Sequence, residues 1–345
     1  MPASTPEKPN NTLKRLAVRW AWVPVMALAI AALLRFVDLA EVAQALGRAD
    51  PWQVAAMLGF WLVWLAVRPL RMRMLLRATA PATRIAYNDA YGAHALGNAI
   101  NSLLPMRAGE FAMMWVLARR SQVALPASFS AIVLDRLCDL AAALAVLIVA
   151  IFAMPNPPAL IVEGIEIVAA ILVAGMALVA ISVRLRARTM RVLAALLPRR
   201  WHSTLLHRLE ELLKGLGVLA RPSVFAQAVA LSATIWGLAV LSFTAGIGAV
   251  WPDATLAMGA FTVGVVAMAF LVPAAPGGIG VFHAAIVFAL AIYGVPAATA
   301  LAYALISHAL TFAVGIAVAA AWTLYNGLDP REFARANAAR DAGPN

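Results

Sequence analysis

Apolar runs long enough to cross a lipid bilayer fill most of this chain, and two of them are interrupted by the same arrangement of helix-breaking residues. The interruptions contain Pro105, Gly109 and Phe111 and, 171 residues later, Pro276, Gly280 and Phe282. A transmembrane helix needs about 20 predominantly apolar residues, and an internal proline or glycine kinks or ends it. The repeated pattern therefore predicts an internally duplicated membrane fold in which two interrupted elements surround a central site.

The composition is that of a membrane protein. Hydrophobic residues make up 63% of the chain and charged residues 12%, about half of the charged fraction usual in soluble domains. The mean hydropathy is +0.86. Together with the apolar runs, these values predict an all-α polytopic membrane protein. The one cysteine, Cys138, excludes an intramolecular disulfide and a cysteine metal cluster, and we expect no cofactor.

The net charge of +11 comes mainly from arginine, which accounts for 24 of the 27 cationic residues. A strongly basic protein could bind nucleic acid, but these cations occur in blocks between apolar runs. The positive-inside rule explains such blocks without nucleic acid, because the cytoplasmic loops of membrane proteins are rich in Lys and Arg. The blocks predict that both termini are cytoplasmic. The alanine richness and the preference for arginine over lysine resemble the coding of a GC-rich bacterial genome, so the expected location is the bacterial inner membrane.

Apolar runs and cation blocks together predict six full spans, at residues 20–39, 52–67, 126–154, 167–183, 224–250 and 296–325. The spans belong to one transmembrane domain, residues 17–325, between a disordered cytoplasmic tail at 1–16 and a second cytoplasmic tail at 326–345. The arginine-rich segment 68–84 follows the second span and contains no acidic residue. It is therefore predicted to be a cytoplasmic loop.

Each interrupted element is predicted to be a re-entrant helical hairpin, because its two halves are short. Cations flank the first hairpin on both sides, whereas neither flank of the second carries one. The first hairpin is therefore expected to enter from the cytoplasm and the second from outside. Each is followed by a full span, so residues 87–154 and 255–325 are predicted to form an inverted repeat. If the hairpins are instead full two-helix crossings, every loop keeps its side.

The basic segment 184–221 has apolar residues at helical spacing: Trp201, Leu205, Leu209, Leu212, Leu213 and Leu216. They lie opposite Arg208, Glu211 and Lys214. The pattern fits an amphipathic helix on the anionic cytoplasmic surface of the membrane. It fits an ordinary cytoplasmic connecting helix equally well.

Polar residues in an apolar context are densest around the first interruption. Pro105 suits the first turn of a helix, so free backbone N–H groups and the positive end of the helix dipole would lie beside Arg107. Such a site attracts an anion such as phosphate. Glu110 is placed to pair with Arg107 when the site is empty, and Asn101 lies just before the break. The alternative is a boundary arginine that reaches the lipid headgroups, with Glu110 as its surface partner.

A second charged group lies about ten residues into a predicted span and consists of Asp135, Arg136 and Asp139. Asp135 and Asp139 share one helix face, and Arg136 is turned about 100° away. A charge at the centre of a bilayer costs roughly 2.5–3.5 kcal/mol or more. These side chains are therefore predicted to point into the bundle, paired with each other or with Arg107. A purely structural ion network is the alternative.

Three glycines, Gly277, Gly278 and Gly280, follow Pro276 in the second interruption. Glycine lets the backbone turn sharply and approach a ligand closely. His283 and His308 are candidates for protonation-linked roles or for hydrogen-bonded contacts between helices. The sequence contains no Walker loop, nucleophile elbow or spaced metal-binding motif.

Three stretches together resemble the lysylphosphatidylglycerol synthase transmembrane-region family: residues 101–110, the Asp135-Arg136-x-x-Asp139 motif and residues 276–282. That family includes the flippase half of the bacterial multiple-peptide-resistance factor and stand-alone members associated with hopanoid or glycosyltransferase pathways. The resemblance implies lipid translocation, with aminoacylated phosphatidylglycerol as the best-known cargo. His283 stands where the family more often has a glutamate. Only about 20 residues follow the last span, so we expect no aminoacyl-transferase domain and no synthesis of lysylphosphatidylglycerol.

These features predict a lipid transporter, or flippase, that moves a lipid with an anionic or zwitterionic headgroup between leaflets. The predicted substrate-binding residues are Asn101, Arg107, Glu110, Asp135, Arg136, Asp139, Gly277, Gly278, Gly280 and His283. Expected partners are membrane lipids, a lipid-biosynthetic enzyme and a second copy of the chain. One alternative is a membrane enzyme or accessory subunit that acts on a lipid-linked substrate, for example in hopanoid or lipid-glycan pathways. Another is a small-solute transporter, which the few polar residues at 223–325 disfavour.

Overall fold

The structure is a computed structural model that describes residues 38–104, 108–154, 157, 159–196, 206–271 and 276–328. Within these residues the chain is all-helical and contains no strand. The α-helices are α1 Leu39–Gly47, α2 Pro51–Thr79, α3 Tyr87–Leu103, α4 Gly109–Ser121, α5 Leu125–Phe152, α6 Ala159–Arg184, α7 Arg186–Leu196, α8 His207–Leu216, α9 Pro222–Gly248, α10 Leu256–Ala269, α11 Val281–Ala291 and α12 Ala297–Tyr325. Short 3₁₀ turns at Gly217–Ala220 and Pro276–Gly278 precede α9 and α11.

Several helices are long and apolar enough to cross a membrane, which makes the chain a multi-pass membrane protein. Among the described residues these are α2, the Val162–Arg184 part of α6, α9 and α12. α5 is also long, at 28 residues, but it carries the charged residues Asp135, Arg136 and Asp139. The first predicted span lies almost entirely outside the described residues, as do the tail at 1–16 and residues 329–345 of the second tail.

Proline and capping side chains fix where the long helices begin. Pro51 is the first residue of α2, and the Asp50 carboxylate before it accepts a 2.8 Å hydrogen bond from the backbone N–H of Trp52. Pro126 lies in the first turn of α5, and Pro296 immediately precedes α12. Proline is tolerated at these positions because the first N–H groups of a helix have no partner within the helix. Both prolines that follow the two interruptions therefore open long helices, as the sequence predicts.

The prediction that the second span ends at residue 67 and leads into a loop is wrong. α2 continues to Thr79, so Arg68 and Arg71 lie on the helix. Residues 70–78 are rich in leucine, methionine and arginine, which favour helix. Burial of Met72, Leu75 and Leu76 against the bundle stabilises the extension. The extension carries the two arginines back against α5.

The two largest of four buried apolar clusters among the described residues join most of the long helices. One joins α9, α11 and α12 through residues such as Ile247, Ile286 and Tyr303. The other joins α2, α4 and α5 and contains Leu75, Val116 and Leu134. Because lipid tails are as apolar as these side chains, close van der Waals packing holds membrane-spanning helices together, rather than transfer of the side chains out of water.

The two interrupted elements consist of short helices. α3, α4, α10 and α11 have 17, 13, 14 and 11 residues, fewer than the roughly 20 that a full span needs. α3 and α4 pack so closely that a Cβ atom on Gly109 would lie 1.9 Å from the carbonyl oxygen of Gly97. At the other end of the pair, the carboxylate of Asp89 accepts hydrogen bonds from Arg120 and Ser121. α3 and α4 therefore form one tightly packed antiparallel pair.

The connection between α6 and α9 contains α7 and α8. α8 turns its apolar residues toward the bundle, where Leu212 and Leu213 pack against a core cluster that includes the buried Leu216. A Cβ atom on Gly215 would lie 2.4 Å from the Cβ of Ser130 in α5. The apolar side of α8 therefore packs on the protein. Trp201 and Leu205 lie outside the described residues.

Candidate functional site

Arg71 is the centre of a buried charge network between α2, α5 and α9. Its Nε donates a 2.8 Å hydrogen bond to Oδ1 of Asp135, and its Nη2 donates to the Asp135 backbone carbonyl over 3.2 Å. The Nη1 of Arg71 donates a further hydrogen bond of 2.9 Å to the hydroxyl of Ser232. The side chains of Arg71 and Asp135 are both 0% exposed. Arg71 therefore links three helices through one guanidinium group.

Asp139 lies one turn further along α5 and pairs with three arginines. It accepts hydrogen bonds from Arg71 and Arg68, and the Nη1 of Arg136 donates to it over 3.3 Å. Both aspartates thus bind the same guanidinium group, which confirms that they share one helix face. The prediction that these charges pair with each other is also confirmed by the contact between Arg136 and Asp139. The principal partners of the two aspartates, however, are the arginines of α2.

The network reaches the first interruption through Arg136 and Glu110. The Nε of Arg136 lies 3.3 Å from Oε1 of Glu110, which stands in the first turn of α4. These two side chains are 29% and 26% exposed, whereas Arg71 and Asp135 are fully enclosed. The network is therefore buried at one end and accessible at the other. It contains three arginines and three carboxylates, so its formal charges cancel.

Four buried polar atoms in and around this network have no hydrogen-bond partner among the described residues. They are Oδ2 of Asp135, Nε of Arg68, Nε2 of His94 and Nε of Arg136, whose 3.3 Å contact with Glu110 is an ion pair without hydrogen-bond geometry. His94 lies on α3, within electrostatic range of Asp135. Buried polar atoms are nearly always satisfied by protein groups, ordered water or a ligand. The network therefore has hydrogen-bonding capacity that its own side chains do not use.

Asn101 secures the start of α4. Its Oδ1 accepts a 2.8 Å hydrogen bond from the backbone N–H of Gly109, which satisfies one of the free donors at that helix end. Arg107, the predicted anion-binding residue, lies outside the described residues together with Pro105 and Met106. Glu110, predicted to pair with Arg107, lies against Arg136.

The glycines of the second interruption form a sharp turn against the end of α3. Gly277, Gly278 and Gly280 have φ angles of +64°, +73° and +87°, a region that residues with a Cβ atom rarely adopt. A Cβ atom on Gly277 would lie 3.1 Å from the carbonyl oxygen of Ser102 and 2.1 Å from Cζ of Phe312. The glycine turn of the second interruption is therefore in contact with the helix that leads into the first.

His283 lies beside this turn, within an aromatic cluster. Its ring stacks on that of His308, with the centroids 4.9 Å apart, and the His308 ring is 4.3 Å from that of Phe312. The predicted residues thus form two neighbouring groups. One contains Asn101, Glu110, Asp135, Arg136 and Asp139, and the other contains Gly277, Gly278, Gly280 and His283.

Sequence reasoning missed Arg68, Arg71 and Ser232 as members of the network. A signal was present, because Arg68 and Arg71 are three residues apart and lie on one helix face, as Asp135 and Asp139 do. Ser232 has no such signal, since its role depends on the packing of α9 against α2. Among the described residues no group of three His, Cys, Asp or Glu side chains is placed to hold a metal ion.

Comparison with known proteins identifies the family. A relative is the "Glycosyltransferase AglD" of Haloferax volcanii, which is 27% identical over 341 residues. The match covers 90% of this chain but 54% of that protein, so the chain spans about half the length of this curated relative. No solved structure matches. The family described as "Lysylphosphatidylglycerol synthase TM region" matches residues 16–319. The chain therefore belongs to the lysylphosphatidylglycerol synthase transmembrane-region family.

Proposed function

We propose that this protein is a membrane lipid transporter that moves a lipid with an anionic or zwitterionic headgroup between leaflets. The observation that carries the proposal is the charge network between α2, α4 and α5, enclosed at Arg71 and accessible at Arg136. Charges within membrane helices are costly and tend to mark substrate pathways. Family membership supports the same class of function.

The network suits a phosphate headgroup because its cations are already charged and held in place. A guanidinium group binds carboxylate and phosphate oxygens with the same planar geometry. An entering phosphodiester would take the place of Glu110 on Arg136 and use the unpartnered Nε of Arg68. Arg107, just before α4 in the sequence, would add a further cation. The carboxylates would neutralise the arginines whenever the site is empty.

The two interrupted elements supply a route for alternating access. In this proposal α3–α4 and α10–α11 are re-entrant hairpins of an inverted repeat, entering from opposite sides of a bacterial inner membrane. The contact between Gly277 and the Ser102 backbone supports a shared site between them. Gly277, Gly278 and Gly280 would let the second hairpin approach the headgroup, with His283 beside it. The lipid tails would stay in the bilayer.

Lipid redistribution in reconstituted vesicles tests the proposal. Fluorescent phosphatidylglycerol is added to proteoliposomes, and the fraction protected from dithionite is followed with time for the wild type, Arg136→Gln and Arg188→Gln. Arg188 is exposed on α7, outside the network, and serves as a matched loss of charge. We expect Arg136→Gln to slow redistribution and Arg188→Gln to leave it unchanged. Equal rates for the wild type and Arg136→Gln would refute the mechanism.

The printed name of the relative from Haloferax volcanii suggests a second candidate for this chain, a membrane subunit or enzyme that acts on a lipid-linked sugar. Glu110 or Asp135 would then serve as acid or base. Because the chain spans about half of that relative, the glycosyltransferase name can refer to the other half. Covalent modification of a polyprenyl-phosphate sugar by the purified chain would favour this candidate over transport.

A further inference from the structure

A cavity of about 410 Å³ opens where α6, α7, α8 and α9 meet, away from the central charge network. Its lining combines four cations with apolar side chains: Arg184, Arg186, Lys214 and Arg221 with Val183, Leu213 and Val218. Arg221 also lines a second, smaller cavity between α2 and α9, together with Arg77. Cation blocks of this kind are predicted to lie on the cytoplasmic side.

The four cations are not neutralised equally. Lys214 lies 2.7 Å from Glu211 and 3.6 Å from Glu210, and Arg186 is 4.0 Å from Glu210. The hydrogen bond to Glu211 raises the pKa of Lys214, so the lysine stays charged at neutral pH. Arg184 and Arg221 form no ion pair with any residue in the described part of the chain. The cavity therefore carries an excess of positive charge at these two arginines.

The position of the cavity determines which anion it suits. Arg184 is the last residue of α6, and Arg221 immediately precedes α9. α9 and most of α6 are long and apolar enough to cross a membrane. The two arginines therefore stand at the ends of apolar helices, where we expect phospholipid headgroups. Val183 and Leu213 provide an apolar wall on which a glycerol backbone and the start of an acyl chain can pack.

We propose that this cavity is a binding site for the phosphodiester headgroup of an anionic phospholipid, held between Arg184 and Arg221. Basic pockets between membrane helices on the cytoplasmic side are suited to such headgroups. Arginine binds phosphate oxygens through paired N–H groups, and the Lys214 ammonium adds a third cationic donor. The site is separate from the central network, and the proposal does not depend on transport.

The test measures the binding of short-chain lipids to purified protein in neutral detergent. Every variant carries Arg136→Gln, so that any lipid binding at the central network is weakened to the same extent in all of them. Dioctanoyl-phosphatidylglycerol, dioctanoyl-phosphatidylcholine and inorganic phosphate are titrated separately and followed by microscale thermophoresis. The test variant is Arg184→Gln/Arg221→Gln. The matched control is Arg188→Gln/Arg191→Gln, which removes the same charge from α7 outside the cavity.

We expect the test variant to raise the Kd for phosphatidylglycerol by about 10- to 30-fold, since each of the two basic residues near a membrane surface contributes a factor of about five. The control should keep the parental Kd, and Arg184→Lys/Arg221→Lys should retain most of the affinity. Phosphatidylcholine should bind weakly to all variants. Circular dichroism confirms that each variant is folded, which is expected because both arginines are exposed.

Three outcomes would overturn the proposal. Equal losses in the test and control variants would mean that the binding is diffuse attraction to a basic surface. Phosphatidylcholine binding as tightly as phosphatidylglycerol would remove the role of the anionic charge. Inorganic phosphate binding as tightly as the lipid would identify a site for a soluble anion. A failed redistribution assay with intact lipid binding here would refute transport and leave this site in place.

Discussion

Arg71 and Asp135 are both completely buried, and the Nε of Arg71 donates a 2.8 Å hydrogen bond to Oδ1 of Asp135. Removing two charges from water costs several kcal/mol for each ion unless their pairing and hydrogen bonds compensate. Arg71 meets this requirement with further bonds to Asp139, to Ser232 and to the Asp135 carbonyl. The pair therefore joins α2 to α5 and supports the accessible end of the network.

Breaking the Arg71–Asp135 pair on one side should destabilise the protein strongly. Arg71→Met leaves the buried Asp135 carboxylate without its principal partner, and we expect a loss of about 3–5 kcal/mol. Asp135→Leu should cost less, because Arg71 keeps Asp139. The double variant Arg71→Met/Asp135→Leu should lose less stability than the sum of the losses of the two single variants. Unfolding midpoints in detergent, followed by tryptophan fluorescence, measure all three. Strict additivity of the two losses would contradict direct coupling.

Glu110 and Arg136 should affect headgroup affinity in opposite directions. Glu110→Gln releases Arg136 from a carboxylate and should tighten phosphatidylglycerol binding by about 2- to 5-fold, the scale of a partly exposed ion pair. Arg136→Gln removes the cation and should weaken binding by roughly fivefold. Both are measured by thermophoresis in the Arg184→Gln/Arg221→Gln background, which removes the peripheral site. Weaker binding in both variants would mean that the pair has a structural role only.

The sequence predicted the elements that depend on local pattern. Apolar runs and prolines gave the all-α membrane fold, and the spacing of Asp135 and Asp139 gave a shared helix face that the structure confirms. The family resemblance was also correct. Each of these features is determined by neighbours within a few helical turns, so one sequence is enough to reveal it.

The partners of the aspartates were missed because they depend on contacts distant in the sequence. Arg71 is 64 residues from Asp135 and 161 from Ser232. Cations that follow an apolar run usually mark a cytoplasmic loop. The sequence analysis therefore assigned Arg68 and Arg71 to a loop. The helix-forming residues after them and the burial of Leu75 and Leu76 extend α2 instead. The local sequence allowed either a loop or a continued helix at these arginines, and tertiary packing determines that the helix continues.

Close packing within the first interrupted element should make Gly109 intolerant of a side chain. A Cβ atom there would lie 1.9 Å from the carbonyl oxygen of Gly97, which is backbone and cannot rotate away. We expect Gly109→Ala to cost about 1–3 kcal/mol, the usual range for overpacking. Gly175→Ala in α6 is the control, because the added methyl group would have no neighbour within 4 Å apart from the adjoining residues and backbone of its own helix. Unfolding midpoints should fall for the first variant and not for the second.

The glycine turn of the second interruption offers a comparison that separates backbone strain from steric contact. Gly277 and Gly294 have similar φ angles, +64° and +75°, but an added Cβ meets Phe312 and the Ser102 carbonyl only at Gly277. Both alanine variants should therefore pay about 1–2 kcal/mol for the left-handed conformation.

Gly277→Ala should lose more stability than Gly294→Ala, and it should also slow lipid redistribution, since the clash separates the two interrupted elements. Gly277→Ala/Phe312→Ala removes one of the two contacts and should recover part of the difference in unfolding midpoint. Vesicle assays and thermal unfolding on the same preparations measure both effects. Equal behaviour of the two single variants would show that the contact between the glycine turn and the end of α3 contributes nothing to stability or transport.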